Sequence, residues 1–209
     1  MQDSLLPLFP LRAVLLPHTP LPLHIFEERY KEMIGDVTRD KIEFGVVQAA
    51  EQGLVNTGCT ASVERVLKSY PDGRMDILTI GRRRFEIVSL NDDKAYLRGS
   101  VEYFEDEDEE DAPIELQRKA IESFEALKAA EETLVFGEPK LGDPLLSFQL
   151  AQLISDLDFR QRILNTRSET ERMKQLLEFA PGYATKLKHI AHVKEVAPKN
   201  GHSNGTVKF

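Results

Sequence analysis

The chain has 209 residues, 41% of them apolar, which is enough for a packed core in one large domain or two small ones. Its 27 basic and 35 acidic residues give a net charge of −8, which argues against a nucleic-acid binder because such proteins present a basic face. A single cysteine excludes an intrachain disulfide and favours the cytoplasm, and the short, proline-broken apolar runs predict neither a signal peptide nor a membrane span.

The first segment is apolar but is interrupted by prolines at positions 7, 10, 17, 20 and 22. Because proline lacks a backbone N–H and fixes φ, this segment predicts short edge strands joined by rigid turns, not a helix or a central strand. The next stretch, from about residue 27 to 38, predicts one helix. Its apolar face is spaced at three and four residues and consists of Tyr30, Met33, Ile34 and Val37.

The rest of the first half reads as β-structure. Short apolar or alternating runs occur at 44–47, 62–68, 76–80, 84–88 and 96–101. Between them, Pro71-Asp72-Gly73 predicts a turn, because proline presets φ and glycine accepts a positive φ. Several short strands at this spacing predict a small barrel or sandwich.

Seven consecutive acidic residues, 105–111, mark a boundary, since like charges repel and we expect a solvated linker there. The pattern beyond it is helical. Helix starts are predicted at Pro113, at Asp143-Pro144 and at the capping-box sequence that begins with Ser168, and Pro181-Gly182 is expected to break the chain. The predicted division is a β-rich part (1–104), an acidic linker (105–112), a helical part (113–197) and a disordered polar tail (198–209).

Segments along most of the chain follow one family pattern in order and spacing. They are residues 5–12 with Pro17, Pro22 and Phe26, then 44–47, 58–63, 71–74, 81–85, 96–98, 153–156 and 162–164. Together they resemble the N-terminal substrate-binding domain of Lon proteases, in a stand-alone form without ATPase or protease modules. The resemblance implies an α+β fold, in which a PUA-like β pseudo-barrel with one helix precedes a helical subdomain. It also implies polypeptide binding without catalytic residues.

Motifs for catalysis are incomplete. Residues 137–142 have the glycine spacing of a P-loop, but Asp143-Pro144 follows in place of the lysine and hydroxyl residue that bind phosphate and magnesium. Residues 201–205 match Gly-x-Ser-x-Gly, yet they lie in the polar tail, with no acid and histidine partners downstream. The sequence therefore predicts no catalytic residues and no cofactor.

The histidines, the cysteine and the arginine cluster are interpreted as structural or surface residues. His189 and His192 lie one helical turn apart but lack a third ligand, so no metal site is predicted. Cys59 lacks an identifiable histidine partner and is expected in the core. In the cluster Arg82-Arg83-Arg84, strand alternation predicts exposed arginines and ion pairs, and the family resemblance also suggests a structural ion pair for Arg84.

The leading hypothesis is a non-enzymatic module that binds a polypeptide or partner protein, with an adaptor role in protein quality control as one form of it. Such binding uses exposed apolar side chains and a free strand edge. The alternatives are an RNA-binding PUA-like protein, a component of an ATP-dependent protease system, and a hydrolase. The client and the oligomeric state stay open. The candidate contact residues are Leu15, Leu16, His18, Leu21, Phe26 and Tyr70.

Overall fold

The computed structural model describes residues 5–108, 110–128 and 138–196, which form six strands and five helices. The strands are β1 (Leu6–Leu11), β2 (Pro20–Ile25), β3 (Phe44–Ala50), β4 (Gly53–Ser69), β5 (Met75–Asn91) and β6 (Arg98–Phe104). The helices are α1 (Glu28–Asp40), α2 (Ile114–Lys128), α3 (Leu146–Ala151), α4 (Leu157–Asn165) and α5 (Glu169–Val196). The order confirms the predicted α+β fold, with one helix inside the β-rich half and helices after it.

The sheet closes on itself. Its strand order is β2-β5-β4-β3-β1-β6, and β5 also pairs with β6, so β5, β4, β3, β1 and β6 form a ring. All pairings are antiparallel except β1 with β3. Within the described chain, β2 pairs with β5 alone and lies outside the ring. This ring is the barrel that the strand spacing predicts.

The proline-rich strands take two different positions. The edge prediction is correct for β2 but wrong for β1, which lies between β3 and β6. Proline is tolerated there because the two halves of β1 pair with different neighbours. Pro7 stands opposite Arg98 of β6, whereas Pro10 stands opposite Val47 of β3. Each proline therefore meets one ladder only.

The strands β4 and β5 each run for 17 residues, so the two predicted runs 76–80 and 84–88 are one strand. Gly81 in the middle of β5 allows the turn before β2 to approach closely. Its N–H donates to the Thr19 carbonyl at 3.0 Å, and its carbonyl accepts from His18 N–H at 2.9 Å. A Cβ on Gly81 would lie 2.1 Å from the Leu16 carbonyl oxygen.

Two helix predictions are corrected. The helix predicted from Asp143-Pro144 is two helices, α3 and α4, and the Asp156 carboxylate caps α4 by accepting from Phe159 N–H at 2.9 Å. Pro181 does not break the chain, because α5 continues through it. Ala180 and Tyr183 on either side of Pro181 are buried, so packing outweighs the lost backbone hydrogen bond. The predicted tail 198–209 lies outside the described residues.

A buried ion cluster joins the two halves of the chain. Asp106 accepts from Arg84 Nη2 at 2.5 Å and from both terminal nitrogens of Arg172 at 2.6 Å. Arg172 also donates to Glu169 at 2.5 Å and to Ser147 Oγ at 2.7 Å. The acidic segment is therefore not a uniformly solvated linker, because Asp106 is an internal partner of two arginines.

The charges in this cluster compensate one another. Burial raises the pKa of the Asp106 carboxyl, but the hydrogen bonds and charges of Arg172 and Arg84 outweigh it, so the pKa lies below its ordinary value. One hydrophobic cluster contains residues of both halves, including Phe9 and Tyr30 as well as Phe148 and Phe159. The two halves therefore share one hydrophobic core, and the predicted residue bounds of the parts stay a prediction.

Replacing Arg172 with alanine removes the buried cation that pairs with both Asp106 and Glu169. We expect Arg172→Ala to lower the free energy of unfolding by about 3–5 kcal/mol, measured by urea denaturation. The matched control is Arg118→Ala, whose partner Glu115 lies on the exposed face of α2, and its expected cost is about 0–1 kcal/mol. A loss under about 1 kcal/mol for Arg172→Ala would contradict the role given to the cluster.

The close approach at Gly81 gives a second prediction. Gly81→Ala forces the added methyl group against the Leu16 carbonyl, and we expect a loss of about 1–3 kcal/mol in thermal or urea unfolding. Gly35→Ala is the control, because no described atom lies within 4 Å of its Cβ position on α1. That change is expected to stabilise by up to about 1 kcal/mol. Equal effects of the two substitutions would refute the close approach.

Candidate functional site

The predicted contact residues separate into core and surface. Leu15 and Leu16 are only 2% and 0% exposed, so they are core residues and the prediction that they contact a partner is corrected. Leu21 is half-buried against the core, and His18 is exposed in the turn before β2. The remaining two, Phe26 and Tyr70, belong to one surface cluster.

This cluster, called the aromatic tip, consists of His24, Phe26 and Tyr70. The Phe26 ring is stacked on the His24 ring with centroids 5.9 Å apart, and the Tyr70 ring meets His24 edge-on at the same distance. The fold brings them together because the end of β2 pairs with the start of β5, just after the turn that carries Tyr70. Phe26 is nevertheless 57% exposed.

The carboxylate of Asp76 on β5 contacts two residues of the aromatic tip. The Nδ1 of His24 lies 2.5 Å from one carboxylate oxygen, and the hydroxyl of Tyr70 donates to the other at 2.9 Å. The hydrogen bonds from His24 and Tyr70 lower the pKa of the Asp76 carboxyl from its ordinary value. The carboxylate therefore stays ionised at neutral pH and fixes both rings.

Cations flank the tip on the Tyr70 side. The Lys68 ammonium lies 4.5 Å from the centroid of the Tyr70 ring, and the Arg74 guanidinium lies 5.0 Å from it. Arg74 is also paired with Asp72 in the turn. An exposed aromatic ring with cations beside it can contact apolar and aromatic side chains and accommodate acidic neighbours.

The tip offers contact surface, not an assembled catalytic group. His24 and Asp76 form an imidazole–carboxylate pair, the arrangement that orients a general base. Nevertheless, in the part of the chain that the structure describes, no serine, threonine or cysteine is hydrogen-bonded to His24. The geometry therefore gives the hydrolase alternative no support at this position.

Two strand edges that lack a further backbone partner in the described chain, those of β2 and of the second half of β4, are blunted. The outer edge of β2 contains Pro20 and Pro22, which have no N–H to offer a further strand. The β3–β4 ladder ends at Ala61, and in the described chain residues 62–69 of β4 pair with β5 only. That part of β4 contains register shifts of the β-bulge type, which twist an edge away from further pairing. At these two edges, recognition by side chains is therefore favoured over strand addition.

The three neighbouring arginines are occupied by acids. Arg82 pairs with Glu64, and Arg83 pairs with Glu43. Arg84 is buried and binds Asp106, which confirms the structural ion pair expected for it. The cluster is therefore electrically compensated and does not form a basic face for nucleic acid.

The other candidate reactive groups lie apart from the tip. His189 and His192 are exposed on α5, and the described residues contain no group of three or more side chains suited to a metal ion. Cys59 is fully buried, and burial raises the pKa of its thiol to about 12. None of the described helices has the length and apolar character needed to cross a bilayer.

A groove also lies between α4 and α5. This groove of about 740 Å³ is lined by residues that include Arg162, Phe179 and Lys186. Phe179 is stacked between Phe159 and Tyr183, at centroid distances of 4.0 and 5.7 Å. Its aromatic surface is thus engaged in packing the helices, whereas the Phe26 ring faces solvent.

His24 and Asp76 are the site residues that sequence reasoning missed. They are 52 positions apart, and only the pairing of β2 with β5 places them opposite each other. No local pattern in the sequence indicates that His24 of β2 pairs with Asp76 of β5. The prolines of β2 do indicate an edge strand, and the exposed Phe26 follows directly after it.

Comparison with known proteins identifies the family. The sequence profile of the ATP-dependent protease La (LON) substrate-binding domain matches residues 5–180. The chain belongs to this family. The resemblance noted in the sequence is thereby confirmed, and the aromatic tip lies wholly inside the matched region.

The relatives are Lon proteases. One from Anaeromyxobacter dehalogenans is 30% identical over 193 residues, which cover 84% of this chain and 23% of the relative. Another from Parabacteroides distasonis is 34% identical over 110 residues, which cover 48% of this chain and 13% of the relative. The chain thus spans less than a quarter of the length of these relatives, and the match identifies a substrate-binding module, not a catalytic domain.

Solved structures show the same architecture. A Lon N-terminal domain protein from Xanthomonas campestris is 25% identical with a TM-score of 0.65, covering 84% of this chain and 98% of that structure. The N-terminal domain of a Mycobacterium avium complex Lon protease has a TM-score of 0.62 at 18% identity, which supports the fold alone. It covers 85% of this chain and 98% of that structure. These Lon domains confirm the α+β assignment.

The environment of Cys59 predicts an inert thiol. Because the thiolate is the reactive form, we expect the native Lon domain to react with an aromatic disulfide reagent at pH 8 more than about a hundredfold slower than the chain in denaturant. Absorbance of the released thiolate measures both rates. Rapid reaction of the native protein would show that Cys59 is accessible.

Proposed function

We propose that this Lon substrate-binding domain binds unfolded polypeptide segments at the aromatic tip and catalyses no reaction itself. The observation that carries the proposal is the Phe26 ring, which is exposed yet stacked on His24. An aromatic side chain held in place before binding loses little conformational entropy when a ligand packs against it. Exposed, ordered aromatic rings are also common anchors in protein interfaces.

An unfolded polypeptide is the ligand that best suits such a surface. Unfolded chains expose the aliphatic and aromatic side chains that stack on Phe26 and Tyr70. The blunted edges of β2 and β4 reduce the contribution of strand addition, so side-chain contacts at the tip supply most of the affinity. The family description, a substrate-binding domain, supports the same ligand class.

The wider role follows from the family and is part of the proposal. We expect the domain to work in the cytoplasm as an adaptor that presents polypeptides in protein quality control, either alone or with a protease. The single cysteine is buried and reduced, which suits that compartment. RNA binding has no such support, because Arg82, Arg83 and Arg84 are all paired with acids.

A binding measurement with matched surface variants tests the proposal. The probe is reduced, carboxymethylated lactalbumin carrying a fluorescent label, and the readout is fluorescence anisotropy at pH 7. We expect Phe26→Ala to weaken binding about fivefold or more, because the change removes the exposed ring. Val88→Ala is the matched control, since Val88 is 59% exposed at the other end of β5, and its binding should equal that of the parent.

Two results would contradict the proposal, and they differ in meaning. If the parent does not bind the unfolded probe, the function is wrong. If the parent binds but Phe26→Ala and Val88→Ala bind equally well, the function stands and the location at the tip is wrong. Circular dichroism of each variant confirms that loss of binding is not loss of folding.

A further inference from the structure

His24 is the residue that connects Phe26 to the rest of the aromatic tip. Within the described residues, the ring of Phe26 has an aromatic contact with His24 only. His24 in turn contacts the edge of Tyr70 and the carboxylate of Asp76. The imidazole therefore lies between the Phe26 ring and the Asp76–Tyr70 pair.

An anionic carboxylate lies directly against the His24 imidazole. An imidazole side chain changes its charge between about pH 5 and 8. Asp76 is the group in direct contact and is anionic, and Phe26 and Tyr70 provide aromatic surface on the ring. The charged groups linked to Tyr70 and to the β4–β5 turn are Lys68, Arg74, Asp72 and Lys31.

Protonation strengthens each contact that His24 makes with an acceptor. The hydrogen bond to Asp76 becomes an ion pair, and the stacking on Phe26 gains a cation–π component. The neighbouring cations Lys68 and Arg74 lie over the Tyr70 ring, not over His24, and Arg74 is balanced by Asp72. Lower pH should therefore hold the Phe26 ring more firmly.

We propose that His24 is a positioning residue for Phe26 and that its protonation tightens polypeptide binding as the pH falls from 8 to 6. The inference rests on the proposed function of the aromatic tip. It assigns the site a pH dependence that comes from the domain and not from the ligand. The expected gain in affinity is about two- to fivefold, because a ring that is ordered more firmly before binding loses less conformational entropy when the polypeptide packs on it.

The positioning role can be tested without any ligand. In the free protein, NMR of labelled histidine and phenylalanine rings follows His24 and Phe26 from pH 5.5 to 8.5. We expect the Phe26 ring signals to shift with the same midpoint as the His24 ring, and to lose that shift in His24→Asn. Phe26 signals that do not follow the His24 titration would overturn the positioning role.

The binding consequence needs a ligand that does not titrate. The probe is a labelled, unfolded synthetic polypeptide without histidine and with blocked termini, measured by anisotropy at pH 6 and 8. The parent should bind more tightly at pH 6, and His24→Asn should lose the difference. The His24→Phe variant, which keeps a stacking ring without the charge, should also bind the probe equally at pH 6 and pH 8.

His18→Asn is the matched control. His18 is exposed in the turn before β2 with a positive φ of 57°, a conformation that asparagine also accepts, and it should keep the pH dependence of the parent. Unchanged pH dependence in His24→Asn, or tighter parent binding at pH 8, would overturn the inference. If the parent binds nothing at either pH, the proposed function fails, and the NMR titration alone decides the role of His24.

Discussion

Arg84 of β5 and Arg172 of α5 share the single carboxylate of Asp106, and this pairing ties the barrel to the helices. Both guanidinium groups are buried, and an unpaired buried charge costs several kcal/mol, so each member of the cluster requires the others. The three residues come from β5, from the segment after β6 and from α5. Their pairing therefore fixes the helices against the barrel.

Strand β5 connects this ion cluster to the candidate site. The same strand carries Arg84 in the ion cluster, Gly81 at the close approach of the turn, and Asp76 beneath the aromatic tip. A strand that is paired with β2, β4 and β6 along its length is a rigid base. The exposed ring of Phe26 is thus held by a short chain of contacts that ends in the core of the fold.

Local features of the chain could be predicted from sequence, because each depends on neighbouring residues. The apolar spacing of α1, the Pro71-Asp72-Gly73 turn and the helix start after Pro113 are of this kind. Features set by distant pairing could not. Nothing local distinguishes Asp106 from the other acids of its run, because its partner Arg172 is 66 positions away.

The same distinction explains the candidate site. Phe26, a candidate contact residue, follows an edge strand that the prolines indicate, and it is exposed. Leu15 and Leu16 were candidate contact residues too, but the close approach at Gly81 places them in the core. Pro181 shows the opposite case, in which tertiary packing overrides a strong local signal and α5 continues.

We expect the buried ion cluster to make the barrel and the helices one cooperative unit. Amide hydrogen exchange, measured by NMR at increasing denaturant on the unmodified protein, tests it most directly. If the ion cluster couples the two parts, the best-protected amides of β5 and of the first half of α5 converge on a single global opening with one free energy. Exchange of α5 through a separate, lower-energy opening while β5 stays closed would contradict it.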